Sequence, residues 1–306
     1  MDIAALVQKM AVLFFSILVG FVAAKIGIIK NESNRFLSKL LVNITSPFLI
    51  LSSVFKGEHL LSNSEVLMLT ALGICCYLCM IALSFFIPKM LHIPAEKSGL
   101  YRFMFIFSNI GFIGYPIVSS LFGTGAIFYV SLFVLMFQIF CWSYGVSLIS
   151  GEQRFRFQWK VFRQPCLIAA LAAYVFYLSG LRVPGIVYEM TSYIGDLTSP
   201  LAMLVIGCAL AQTDVRTVFG NWRIYALCAL KMVIIPLLAY LVLRRIISNQ
   251  LMLGVTMVIL CMPIATNTTT ICYEYGADTT LSAAGIFIST LLSFFSIPLI
   301  MRLLFG

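Results

Sequence analysis

Apolar runs of spanning length alternate with short polar joints along the whole chain. A helix that crosses a bilayer needs about 20 mostly apolar residues. Ten segments meet that length: 4–27, 36–55, 65–88, 98–121, 124–149, 163–181, 184–211, 221–243, 250–272 and 279–305. The pattern therefore predicts ten transmembrane helices, numbered here as spans 1 to 10. The longest polar stretch, GEQRFRFQWKVFRQP at 151–165, joins spans 5 and 6. Nothing between the spans is long enough for a soluble domain. The start, MDIAALVQKM, has no basic residue before its apolar run, and that run is too long for a secretory leader.

Composition sharpens this picture. The chain is 61% hydrophobic and only 10% charged, with a mean hydropathy of +1.05. Soluble domains carry about 25% charged residues. A soluble fold would leave too much apolar surface uncovered, so the fold class is an all-α polytopic membrane protein. The bilayer is its first partner.

Charge then sets the orientation through the excess of Lys and Arg in cytoplasmic loops. The joints 1–2, 3–4, 5–6, 7–8 and 9–10 hold thirteen basic residues, against six on the other side, with Lys231 left inside a span. The first set of joints should face the cytoplasm, which places both termini outside, in a cell inner (plasma) membrane. The net charge of +9 is this topology signal. The charges are scattered over short joints, so they form no patch for nucleic acid.

An internal echo divides the chain. NITSPFLIL (43–51) resembles DLTSPLAML (196–204), and Thr45-Ser46-Pro47 maps onto Thr198-Ser199-Pro200 at an offset of 153, half the chain length. A three-residue match alone can arise by chance or from a shared kink. The offset carries span 2 onto span 7, so each half would hold five spans. An odd number forces the second half to enter the membrane in the opposite sense, an inverted repeat of the kind many secondary transporters use. The expected organisation is a first repeat over 1–150, a linker over 151–165 and a second repeat over 166–306.

Span 4 contains SNIGFIGYPI (108–117), where Asn109, Gly111, Gly114 and Pro116 all disfavour a regular helix. Inside hydrocarbon, irregular backbone survives only when protein or a water-filled cavity surrounds it. Pro116 removes a donor and crowds the preceding turn; the glycines allow another backbone to approach. Span 4 is thus expected as two half-helices. A half-helix N-terminus offers free N–H groups and partial positive charge to an anion, and Asn109 adds a neutral amide. A merely kinked helix, tightly packed at its glycines, is the plainer reading. Span 9, the counterpart of span 4, reads CMPIATNTTTICYEYG (261–276), with Pro263 and Asn267. Interruptions at corresponding positions of two halves point to a transport site. Thr268 to Thr270 are expected to bond back to their own helix.

These motifs carry a resemblance. SNIGFIGYPI resembles the Asn-x-Gly-x-x-Gly-x-Pro signature of the auxin efflux carrier family's fourth helix. MPIATN with YGAD at 275–278 resembles its ninth helix and exit loop, and the TSP, RQP (163–165) and TSPLAMLVIG segments fit too. The resemblance spans nearly the whole chain. It implies ten helices in two inverted halves, with a scaffold from helices 1, 2, 6 and 7. The transport domain would come from helices 3–5 and 8–10, around crossed, broken helices 4 and 9. It implies secondary transport of carboxylates: auxin in plants, and small dicarboxylates such as malate or malonate in bacterial members. Asn109, with Ile110, Gly111 and Gly114 beside it, maps onto the crossover Asn segment. Pro116 and Pro263 map onto the crossover prolines, and Asn267 onto the polar residue after the second. The chain lacks the long hydrophilic loop of the large plant carriers and so resembles a short, bacterial type.

Two ionisable residues sit inside spans, where they are functional candidates by default. Asp196 in span 7 is a candidate proton-coupling group, or else a helix cap in GDLTSP. Lys231 in span 8 is expected either to neutralise half-helix carbonyls at the crossover or to pair with Asp196. The cysteines at 75, 76 and 79 share a helix face with no His beside them, so small apolar packing is expected and no metal site. No motif for an intramembrane protease is present. The expected function is alternating-access transport of a small organic anion with proton coupling. No cofactor is required. A sodium-coupled symporter and a passive channel are the rivals, and assembly as a monomer or homodimer stays open.

Overall fold

The computed structural model describes residues 3–55, 62–151, 163–181, 183–212 and 220–305. Most of the 5–6 linker, with Arg154, Arg156 and Lys160, therefore lies outside the described residues. Every element named here is a helix: α1 (Ile3–Lys25), α2 (Asn31–Leu40), α3 (Ser46–Phe55), α4 (Asn63–Ser84), α5 (Ile87–Met90), α6 (Ala95–Ile106), α7 (Tyr115–Phe122), α8 (Ile127–Phe140), α9 (Val146–Ser150), α10 (Pro165–Ser179), α11 (Gly185–Gly195), α12 (Thr198–Gln212), α13 (Trp222–Ala229), α14 (Ile235–Leu243), α15 (Gln250–Leu260), α16 (Asn267–Glu274) and α17 (Thr279–Phe305). Among the described residues, six stretches are long and apolar enough to cross a membrane: Glu32–Phe55, Asn63–Ser84, Thr124–Ser150, Gly185–Gln212, Trp222–Leu243 and Thr279–Phe305. Shorter apolar helices cover Ala11–Lys25, Ile110–Phe122, Pro165–Ser179 and Gln250–Leu260. Phe15, Val175, Tyr193 and Phe295 point outward, each more than 60% exposed, as lipid-facing side chains do. The protein is a polytopic, all-helical membrane protein.

Helix ends follow their local sequence. Ser62 and Glu65 form a reciprocal capping box that starts α4. Pro165 opens α10, where its missing N–H would have no partner in any case. The described residues include four π-helical turns, Leu41–Thr45, Ile110–Gly114, Cys141–Gly145 and Leu230–Ile234; the second opens the helical stretch after Asn109, and the other three interrupt continuous helices. Three of them stand immediately before Pro47, Pro116 and Pro236, with one residue between. A proline leaves the carbonyl four residues back without its bond and crowds it with the ring. The wider π turn takes up both defects without breaking the helix.

Packing forms two neighbourhoods. In one, α1 lies along α12, and α3 lies against both α10 and α11. Small residues make these contacts close: a side-chain carbon at Gly207 would collide with the backbone of Ile17, and one at Gly195 with the backbone of Leu49. In the other, α4 packs on α6 and α8, and α17 packs on α13, α15 and α16. Phe103, Phe105, Phe107, Phe128 and Phe133, in and beside α6 and α8, are wholly buried.

The polar joints meet at two ends. At one end Lys97 pairs with Asp278 at 3.0 Å, Asn221 Nδ2 donates to Tyr101 OH at 2.8 Å, and Arg223 Nε donates to the Leu91 carbonyl at 3.0 Å. Partial burial alone would raise the Asp278 carboxyl; the Leu281 N–H and the Lys97 ammonium outweigh it and hold it below its ordinary value. At the other end Asn249 Nδ2 donates to Glu65 Oε1 at 2.9 Å.

Candidate functional site

Helix α6 ends at Ile106 and α15 ends at Leu260. The segments that follow cross each other. Asn109 N–H donates to the Pro263 carbonyl at 2.8 Å, and Ala265 N–H donates to the Phe107 carbonyl at 3.2 Å. This is a single antiparallel bridge between Ser108 and Ile264. Ile264 N–H finds Ser289 Oγ at 3.1 Å. Backbone groups that a helix would have bonded internally are thus paired across the crossing, as burial in a membrane protein demands.

Each crossing segment leads into a second helical stretch, with an asparagine at its start. Asn109 has φ −79° and ψ 65°, and Ile110 N–H donates to the Ser108 carbonyl at 2.9 Å, an inverse γ-turn. Asn109 Oδ1 then accepts from Phe112 N–H at 3.2 Å and caps the π turn. On the other side Asn267 opens α16. Asn109 caps its helical stretch one residue past the bridge, and Asn267 is the first residue of α16, three past it; the prolines differ more. Pro263 lies within the crossing and Pro116 lies beyond it, past the π turn. That accounts for the opposite order of Asn and Pro in the two motifs.

A cavity of about 320 Å³ opens beside the crossing. One wall is built from Asn109, Ile110, Gly111, Phe112 and Tyr115, with Thr266 and Asn267 from the partner strand. The facing wall is Leu41, Val42, Asn43 and Ser46, with Gln164 and Cys166 at the start of α10. Val134, Phe137, Gln138 and Trp142 close the side. Three of the four π turns thus contribute to the wall. Trp142 Nε1 donates to Gln138 Oε1 at 2.9 Å, which fixes both side chains. Asn267 Nδ2 lies 3.8 Å from Cys141 Sγ as a weak donor. Three buried polar atoms of the wall have no partner: Asn109 Nδ2, Asn267 Oδ1 and Tyr115 OH. Unpaired buried polar groups cost about 1–3 kcal/mol each, so a cluster of three marks a place made for something else.

Of the residues expected from the sequence, Asn109, Ile110, Gly111 and Asn267 come together in this wall. Gly114 packs against Ile110 and Val130; Pro116 is buried behind the wall. Lys231 is fully buried, and its Nζ donates to the Phe105 carbonyl at 2.7 Å. That carbonyl belongs to the last turn of α6, so the ammonium faces the negative end of this half-helix. Asp196 is elsewhere: it is exposed in the turn joining α11 to α12 and is not part of the wall. Thr268 Oγ1 bonds back to the Ala265 carbonyl at 2.6 Å. Sequence reading passed over Tyr115, Gln138, Trp142 and Ser46. A lone Gln inside the apolar run IFYVSLFVLMFQIF was a usable signal; Tyr115 and Trp142 gave none beyond being aromatic.

The description "membrane transport protein" belongs to a family model that matches residues 5–156 and 152–301. An uncharacterized transporter of Methanothermobacter thermautotrophicus is 27% identical over 295 residues, covering 92% of this chain and 93% of its own. An uncharacterized transporter of Methanocaldococcus jannaschii is 25% identical over 295 residues, covering 92% of this chain and 94% of its own. The matches run through the crossing and the cavity on both sides of the chain's midpoint. The chain belongs to the membrane transport protein family, the auxin-efflux-carrier-like group whose signatures its fourth and ninth spans resemble, and it is a multi-pass transporter.

Proposed function

We propose that the protein is a secondary carrier for a small organic anion, working by alternating access across the plasma membrane with both termini outside. The observation that carries this reading is the cavity at the crossing, with the free amide atoms of Asn109 and Asn267 in its wall. A carboxylate there meets a neutral donor and the start of a helix, where N–H groups lack helical partners. In this reading the ten spans form two inverted repeats. Spans 1, 2, 6 and 7 make the scaffold, and the rest moves against it with the cavity between them. That division follows the two packing neighbourhoods. No covalent step is needed.

Coupling is assigned to a proton, with sodium as the alternative. Lys231 is the ionisable group buried at the crossing, so it, and not the exposed Asp196, is the residue through which a proton would act; Asp196 is read as part of a helix end. Counterflow in proteoliposomes tests the whole reading. Unlabelled carboxylate on the far side should accelerate entry of labelled carboxylate, and Asn109→Ala should reduce that exchange at least tenfold. Entry without trans-stimulation would indicate a channel, and full exchange in Asn109→Ala would remove the crossing from the mechanism. A strict need for sodium would replace the proton.

A further inference from the structure

The three unpartnered atoms of the cavity differ in hydrogen-bonding sense, and together they describe a guest. Asn109 Nδ2 can only donate. It suits a carboxylate oxygen. Asn267 Oδ1 can only accept, since its own nitrogen is directed at Cys141 Sγ. It repels a carboxylate and requires an O–H or N–H. Tyr115 OH, on a side chain 1% exposed, can serve either way. A carboxylate alone could accept from Asn109 Nδ2 and from Tyr115 OH, but it would leave Asn267 Oδ1 without a donor.

Charge narrows the guest further. No charged side chain stands among the described residues of the wall. One negative charge can be met by amide donors and the first N–H groups of a helix. A second would need a counter-charge that none of these residues supplies. Val134, Phe112 and Phe137 of the wall would cover a short hydrocarbon body. Tyr115 follows Asn109 by six positions. Both residues line the same cavity of about 320 Å³.

We infer that the cavity selects a monocarboxylate bearing a hydroxyl group, with Asn109 on the carboxylate and Tyr115 with Asn267 on the hydroxyl. Tyr115 is then the residue that sets specificity. This rests on the transport reading above and adds the chemical class of the cargo. A site built to bond a hydroxyl penalises the analogue that lacks it, because its own polar groups are then left unpaired.

The matched probes are 3-hydroxybutyrate and butyrate, which differ by one hydroxyl, with succinate as the doubly charged control. Binding to the purified full-length protein is read by ligand-induced thermal shift and by counterflow. The wild type should bind 3-hydroxybutyrate at least tenfold more tightly than butyrate, and succinate more weakly than either. Tyr115→Phe deletes only the hydroxyl; it should cut the preference to about threefold or less, by weakening 3-hydroxybutyrate more than butyrate. Because the preference is a ratio within one variant, a change in overall stability cancels. A wild type that favours butyrate or succinate overturns the inference, and so does a Tyr115→Phe protein with its preference intact. If succinate binds and Asn109→Ala abolishes it, the transport site stands and only the hydroxyl assignment falls. If none of the acids binds, both fall.

Discussion

Lys231 is placed to act on the proposed anion site without lining it. Its ammonium is fully buried and bonds the Phe105 carbonyl, one residue before α6 ends and four before Asn109. The last carbonyls of a helix have no internal partners, and their partial negative charge would oppose an anion at the crossing. The ammonium cancels it. A unit charge at about 10 Å in an effective dielectric of about 20 is worth roughly 1.7 kcal/mol, or somewhat more than tenfold in binding. Lys231→Met keeps the volume and loses the charge. Carboxylate binding should weaken about tenfold in a titration followed by thermal shift. The midpoint without ligand should move little, because losing the bond to Phe105 is offset by no longer burying a cation. Unchanged carboxylate affinity would mean that the charge serves only the helix end. Asp196 illustrates the opposite case. Its place in the middle of an apolar run left it open between a proton-coupling group and a helix cap, and the run folds as two helices with Asp196 in the exposed turn between them.

At the level of elements, spans were legible because twenty apolar residues have few alternatives in hydrocarbon. The two interruptions were legible because Asn, Gly and Pro are costly inside a span unless the backbone there is irregular. What stayed hidden was where each break falls. Pro116 reads as the breaking residue, but the chain leaves the helix at Phe107, and Pro116 sits within helix after a π turn. Pro47 and Pro236 behave alike, so in this protein three prolines mark widened turns and not breaks. A hydropathy pattern cannot separate these outcomes, because a π turn keeps the chain helical and shifts the following residues by one position. The far wall of the cavity was hidden for a related reason: Asn43 and Gln138 reach it from helices remote in sequence. Glycines divide by role in the same way. At Gly207 a methyl would strike the backbone of Ile17, whereas at Gly111 it would stand in open space. Gly207→Ala should therefore force α1 from α12 and lower the unfolding midpoint, as overpacking by about 1–3 kcal/mol does. Gly111→Ala should leave the midpoint unchanged. Equal midpoints for both variants would show that α1 and α12 are not held by close backbone contact.

For the molecule as a whole, the two polar ends tie topology to mechanism. The joints 3–4, 7–8 and 9–10 are bonded to one another at one end through Lys97–Asp278, Asn221–Tyr101 and Arg223–Leu91. The joint 8–9 reaches the start of α4 through Asn249–Glu65, which belongs to the opposite set. The first set carries most of the basic residues, so it should stay in the cytoplasm. Glu96 is exposed at that end and Ser248 at the other. Introduced singly, Ser248→Cys should react with a membrane-impermeant maleimide on intact cells. Glu96→Cys should exceed the wild-type background only after the cells are opened. The reverse pattern would invert the molecule in its membrane, and labelling of both positions from outside would end the two-ended arrangement. An orientation fixed in this way also fixes which mouth of the carrier faces the cytoplasm. Gln164 of the cavity wall lies beside the 5–6 linker, a joint of the basic set. The cavity should accordingly be reached from inside, and a maleimide too large to pass the crossing should modify a Gln164→Cys protein from the cytoplasmic face alone.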